Sequence, residues 1–133
     1  MMCRCTRRTF VLASLGVVTA TRACAANEFV AAAFRMKEDA IATGDQAFGA
    51  VVVRAGNIIG WGPSRVRELG EWVGHAERVA MRDAQRRTGR DDLSGCAMYS
   101  TSRPCGTCER AAAQAKLARM YHGPEATDAG APR

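Results

Sequence analysis

Apolar positions change their period several times along the chain, and each change marks an element. Phe29, Val30, Ala33, Phe34, Ala40 and Ile41 recur at helical spacing, with Arg35, Lys37, Glu38 and Asp39 between them. That pattern predicts an amphipathic helix capped near Asn27 and ended by Gly44-Asp45. Phe48 to Val53 is a short apolar run holding Val51-Val52-Val53, which predicts a buried strand. Ala55-Gly56-Asn57 reads as a turn, and Ile58 to Trp61 as the returning strand of a hairpin. Gly62-Pro63-Ser64 opens a loop that runs to Gly74.

From His75 to Arg87 the helical period returns, with Ala76, Val79, Ala80 and Ala84 on one side and Gly89 as the stop. Cys96 to Ser100 predicts a third strand. Pro104 suits the first position of a helix reaching Leu117, and Arg119 to His122 a fourth strand. Helices alternating with strands predict an α/β domain over residues 27–123, built on a mixed sheet. The polar, Pro- and Ala-containing residues 124–133 are expected to be a disordered tail.

The first residues follow a different pattern. Arg7-Arg8 precede an apolar run reaching about Ala20, and small residues follow at Ala23-Cys24-Ala25. A basic start, an apolar middle and a small-residue end describe a secretory signal peptide over residues 1–25. The adjacent arginines point to the twin-arginine type, hence to export into the periplasm or medium. The run is too short for a membrane span, so no stable anchor is expected after cleavage.

Charge changes the picture only after this division. The net charge is +6, but Arg4, Arg7, Arg8 and Arg22 lie in the first 26 residues, which hold no acid. The body keeps 15 basic against 13 acidic residues and shows no concentrated basic stripe, so no nucleic-acid partner is expected. Three of the six cysteines, Cys96, Cys105 and Cys108, belong to the body. Two of them form C-x-x-C, which suits a metal site better than a disulfide framework.

The chemistry concentrates in His75-Ala76-Glu77 and Pro104-Cys105-Gly106-Thr107-Cys108. Both stretches fall at predicted helix starts, where amide donors and the helix dipole favour thiolates. His75, Cys105 and Cys108 supply three zinc ligands and leave a tetrahedral position open, as a catalytic rather than structural zinc site does. Glu77, two residues from His75, is placed to shuttle protons. H-x-E paired with P-C-x-x-C is a signature of zinc deaminases. A closed site would need His122, the only other histidine, and would leave Glu77 without a role. Trp72 and Arg103 read as loop residues beside these motifs, and Cys96 as a small core residue.

These motifs, together with Phe48-Gly49-Ala50-Val51-Val52-Val53 and Cys96-Ala97-Met98-Tyr99-Ser100-Thr101-Ser102, resemble the cytidine and deoxycytidylate deaminase superfamily. They are most similar to its guanine deaminase and tRNA adenosine deaminase branch. The resemblance implies a three-layer fold with helices on both faces of the sheet, and Zn²⁺ held by His75, Cys105 and Cys108. It implies Glu77 as the catalytic proton shuttle and a homodimer or higher oligomer. Phe48, Gly49 and Ala50 are implied to lie near a bound base. Ser64 stands where relatives commonly place a substrate-binding Asn, and Ala47 where a proline often stands. The expected activity is hydrolytic deamination of a nucleobase or nucleoside, guanine-like or cytosine-like, with release of ammonia. The alternative is a zinc-binding relative that has lost turnover.

Overall fold

The computed structural model describes residues 17–133, with side-chain surroundings from residue 26 onward. The expected signal peptide, residues 1–25, therefore lies outside the described residues except for helical backbone over its last nine. The elements are α1 (Val17–Ala42), β1 (Gly49–Arg54), β2 (Asn57–Pro63), α2 (Val66–Leu69), α3 (Ala76–Thr88), β3 (Ala97–Ser100), α4 (Gly106–Gln114), β4 (Arg119–His122) and β5 (Thr127–Gly130). Among the described residues no helix is long and apolar enough to cross a membrane.

The strands form one mixed sheet in the order β2-β1-β3-β4-β5. β1 pairs antiparallel with both β2 and β3, β3 pairs parallel with β4, and β4 antiparallel with β5. The parallel pair is bridged by α4, since a parallel connection needs a crossover. Alternation along β1 sends Ala50 and Val52 to one face and Val51 and Val53 to the other. On the first face they meet Ala76, Ala80 and Ala84 of α3 and Ala112 of α4. On the second they meet Phe29, Ala32 and Ala33 of α1, beside an aromatic row in which Tyr99 stacks on Tyr121 at 4.8 Å. The result is the expected three-layer α/β fold.

Glycines allow both outer layers to sit close to the sheet. A Cβ on Gly49 would meet the backbone of Ala33 and Lys37 in α1. One on Gly60 would meet the Ala80 carbonyl, and one on Gly62 the Ala76 carbonyl and the Ala80 amide of α3. The α3 residues facing Gly60 and Gly62 are alanines, because helix backbone lies almost directly on strand backbone there.

Several sequence expectations are corrected. Asn27 is not a cap but lies inside α1, whose Ala-rich preceding residues contain no helix breaker. The buried stripe of α1 is Phe29, Ala32, Ala33 and Ala40. Ile41, assigned to that face, is 47% exposed, and its neighbour Ala40 takes the buried position. The expected loop from Gly62 to Gly74 contains the short α2. Helix α4 stops at Gln114, where Lys116 takes φ +63. Most clearly, residues 124–133 are not a disordered tail. They turn at Ala126 and return as β5, held by backbone pairing and by an Arg119–Asp128 ion pair at 2.9 Å. An edge strand stabilised by its backbone shows little apolar periodicity.

Gly62→Ala should destabilise the protein by about 1–3 kcal/mol in urea unfolding, because α3 must shift to admit the methyl. It should also weaken metal uptake, since the displaced Ala76 adjoins His75. Gly56→Ala, at a hairpin position with φ +78 and open space around it, should cost ~1 kcal/mol and leave metal uptake intact.

Candidate metal centre

Two helix N-termini meet at one end of the sheet. His75 is the N-cap of α3 and Cys105 the N-cap of α4; neither side chain makes a capping bond to its own helix, so both are free to face elsewhere. Glu77 and Cys108 lie in the first turns behind them and are buried. The loop between β3 and α4 is pinned to β1 by reciprocal bonds. Thr101 N–H donates to the Gly49 carbonyl at 2.9 Å, and Gly49 N–H donates to Thr101 Oγ1 at 3.1 Å.

The His75 Nδ1, Cys105 Sγ and Cys108 Sγ atoms lie within 4.8 Å of one another. Nδ1 is 3.3 Å from Cys108 Sγ and 3.5 Å from Cys105 Sγ. Zinc bonds of about 2.0 Å to nitrogen and 2.3 Å to sulfur at a tetrahedral angle separate such atoms by about 3.5 Å. The donor set therefore fits zinc in both chemistry and spacing. Among the described residues no further His, Cys, Asp or Glu joins the group, and His122 lies away from it on β4, paired in register with Ser100. The arrangement has the three ligands of an open site.

Electrostatics separate the two cysteines. Burial works against the Cys105 thiolate, but hydrogen bonds with Thr107, Cys108 and His75 bring its pKa down to about 7. The expected help from the helix start does not carry over to Cys108, whose burial and proximity to Glu77 push its thiol well above the usual range. It lies 3.7 Å from Glu77 Oε2 and donates its S–H there. Burial likewise raises the Glu77 pKa, outweighing its hydrogen bonds and the His75 charge. For His75, burial lowers the pKa, but hydrogen bonds with Glu71 and Cys105 turn the net shift upward.

A cavity of about 230 Å³ opens over this group. Phe48, His75, Glu77 and Cys105 line it, as the sequence predicts, and Phe48 stays 42% exposed. The other proposed substrate residues are not on its wall. Gly49 is pressed against α1, and Ala50 is in the core. Ser64 is buried, and its Oγ donates to Asp45 Oδ1 at 2.9 Å. Asp45 also accepts the Val66 and Arg67 amides, so Ser64 is part of a clamp at the start of α2. Residues that sequence reasoning missed take its place on the wall: Gln46, Glu71 and Ser102. Glu71 lies four residues before His75 but on a loop, so helical spacing gave no signal for it.

A family model for the cytidine and deoxycytidylate deaminase zinc-binding region matches residues 24–123. The chain belongs to this family. A tRNA-specific adenosine deaminase of Agrobacterium fabrum is 36% identical over 83 residues, covering 62% of this chain and 55% of that protein. The guanine deaminase of Bacillus subtilis is 35% identical over 82 residues, covering 62% and 53%. The chain thus spans little more than half the length of these relatives. The solved structure of the Bacillus subtilis guanine deaminase superposes with a TM-score of 0.68 at 29% identity, over 72% of this chain and 62% of that one. As a member of this family, the chain presents its zinc motifs at the two helix starts that the fold brings together.

Purified protein should hold about one zinc per chain by elemental analysis, in keeping with one three-donor group. Cys105→Ser should lose most of that metal; full retention would rule out the assigned ligand set.

Proposed function

We propose that this deaminase-family chain hydrolyses the amino group of a nucleobase or nucleoside, guanine-like or cytosine-like, with zinc held by His75, Cys105 and Cys108. The observation that carries the reading is Glu77: a buried carboxyl, raised in pKa by that burial, on the wall of the same cavity as His75 and Cys105 and in contact with Cys108. When bound, zinc would supply Lewis acidity and lower the pKa of water. A carboxyl whose pKa is raised towards neutrality both accepts and releases protons readily. Glu77 takes one proton of the attacking water and delivers it to the ring nitrogen, then carries the second proton of that oxygen to the leaving amino group. The C–NH₂ bond is replaced by C=O and ammonia departs. Phe48 offers an apolar face against which a base can stack. The small cavity suits a single base better than a duplex.

One observation favours a second reading, a zinc-binding relative without turnover. Ser64 is drawn into the Asp45 clamp and contributes nothing to the cavity wall. A screen of ammonia release separates the two. The zinc-loaded protein is offered guanine, cytosine, adenine and their nucleosides. A tRNA anticodon arm is included because relatives are named for tRNA. Turnover on one base or nucleoside supports the proposal, and Glu77→Gln should then reduce it by about 10²–10⁴-fold with zinc retained. Zinc binding without turnover on any substrate supports the second reading.

Export and dimerisation belong to the same proposal. Fractionation of cells should find the protein outside the cytoplasm, and Arg7→Lys with Arg8→Lys should retain it inside. Light scattering of the exported protein reads whether it is a homodimer.

A further inference from the structure

The His75 ring has two nitrogens, and the structure gives them different partners. Nδ1 faces the two sulfurs, while Nε2 lies 3.3 Å from Glu71 Oε1. A neutral imidazole carries one N–H and one lone pair. If Nδ1 presents its lone pair towards the sulfurs and a shared metal, the proton must sit on Nε2. Among the described residues Glu71 is its only hydrogen-bond partner. The His75 ring makes no capping bond to its own helix that would orient it from that side.

Glu71 itself stands on a braced turn. Gly70 N–H donates to the Val66 carbonyl at 2.8 Å, Gly74 N–H to the Gly70 carbonyl at 2.9 Å, and Arg65 N–H to the Gly74 carbonyl at 2.8 Å. Gly74 also packs on the Val66 backbone closely enough to exclude a Cβ. Asp45 anchors the start of α2 through the Val66 and Arg67 amides, at 3.1 and 2.9 Å, with Ser64 bonded to the same carboxylate. A chain of contacts therefore runs from Asp45, through α2 and its turn, to the rear nitrogen of His75.

We infer that Glu71 is a positioning residue. Its carboxylate accepts a hydrogen bond from the His75 Nε2–H, which fixes the tautomer and the ring direction so that Nδ1 is the metal-facing nitrogen. The Asp45–Ser64 clamp supplies the platform on which Glu71 stands. The inference rests on the zinc-site reading and needs no assumption about substrate or turnover. Partners of this kind behind a ligating histidine typically contribute ~10–100-fold to metal affinity.

The experiment measures zinc affinity of the full chain by competition with a chromogenic chelator, in wild type, Glu71→Ala and Glu71→Gln. Glu71→Ala should bind zinc ~10–100-fold more weakly. Its urea midpoint should be unchanged, because the Glu71 side chain is 59% exposed. Glu71→Gln, whose amide oxygen still accepts a hydrogen bond, should recover most of the affinity. In zinc-loaded wild type, ¹⁵N NMR of the imidazole should show the proton on Nε2, exchanging faster with solvent in Glu71→Ala. Equal zinc affinity in wild type and Glu71→Ala, or a metal bound through Nε2, would overturn the inference while leaving the zinc site standing. A wild type that binds no zinc would instead overturn the zinc-site reading itself.

Discussion

The structure depends on how closely α3 can lie on β2. Gly60 and Gly62 give the helix backbone contact with strand backbone, where even a methyl group has no room. A helix held that close has little freedom to slide or rotate, so its first residues are fixed relative to the sheet. His75 and Glu77 are those residues. On the opposite face Gly49 does the same for α1. That second contact fixes the start of β1, to which Thr101 and the loop leading to Cys105 are bonded. The two halves of the donor set come from distant parts of the chain. They meet with N···S separations near tetrahedral because both are referenced to β1 and its neighbours.

Placing donors at helix N-termini has a further consequence. The N-cap position leaves a side chain outside the helix and directed forward, whereas the first turn directs it back into the core. His75 and Cys105 occupy the first kind of place and remain partly exposed; Glu77 and Cys108 occupy the second and are buried. Burial and the nearby Glu77 push the Cys108 pKa far above its usual range, whereas at Cys105 hydrogen bonds outweigh burial and bring it down to about 7. Burial also raises the Glu77 pKa above its usual value. The same architecture thus places one largely buried carboxyl beside the donor group, on the cavity wall.

What could be read from the sequence follows the range over which each feature is determined. H-A-E and P-C-G-T-C are local, and the helix starts that present them are signalled by Pro104 and by the alanine spacing after His75. Val51 to Val53 announces a buried strand by composition alone. β5 is held by an edge pairing and by Arg119–Asp128, neither of which has a periodic signature. Ile41 was misplaced for a related reason. Hydrophobicity suggests burial, but the buried residue there is the neighbouring Ala40, and no local pattern tells the two apart.

Ser64 shows the difference between occupying a motif position and performing its task. By alignment of the hairpin it falls where a substrate-binding amide was expected, and its hydroxyl could have faced the cavity. Asp45 decides otherwise. A carboxylate with an adjacent hydroxyl and two free helix amides forms a nearly saturated set of hydrogen bonds, and that set turns Ser64 inward. The cavity wall is then left to Gln46, whose backbone N–H is tied to the same Asp45 carboxylate at 2.8 Å and whose side chain carries both a donor and an acceptor. One acidic residue thus withdraws the serine, starts α2 and holds Gln46 at the cavity. An amide side chain reaches the cavity wall from the α1–β1 loop rather than from position 64.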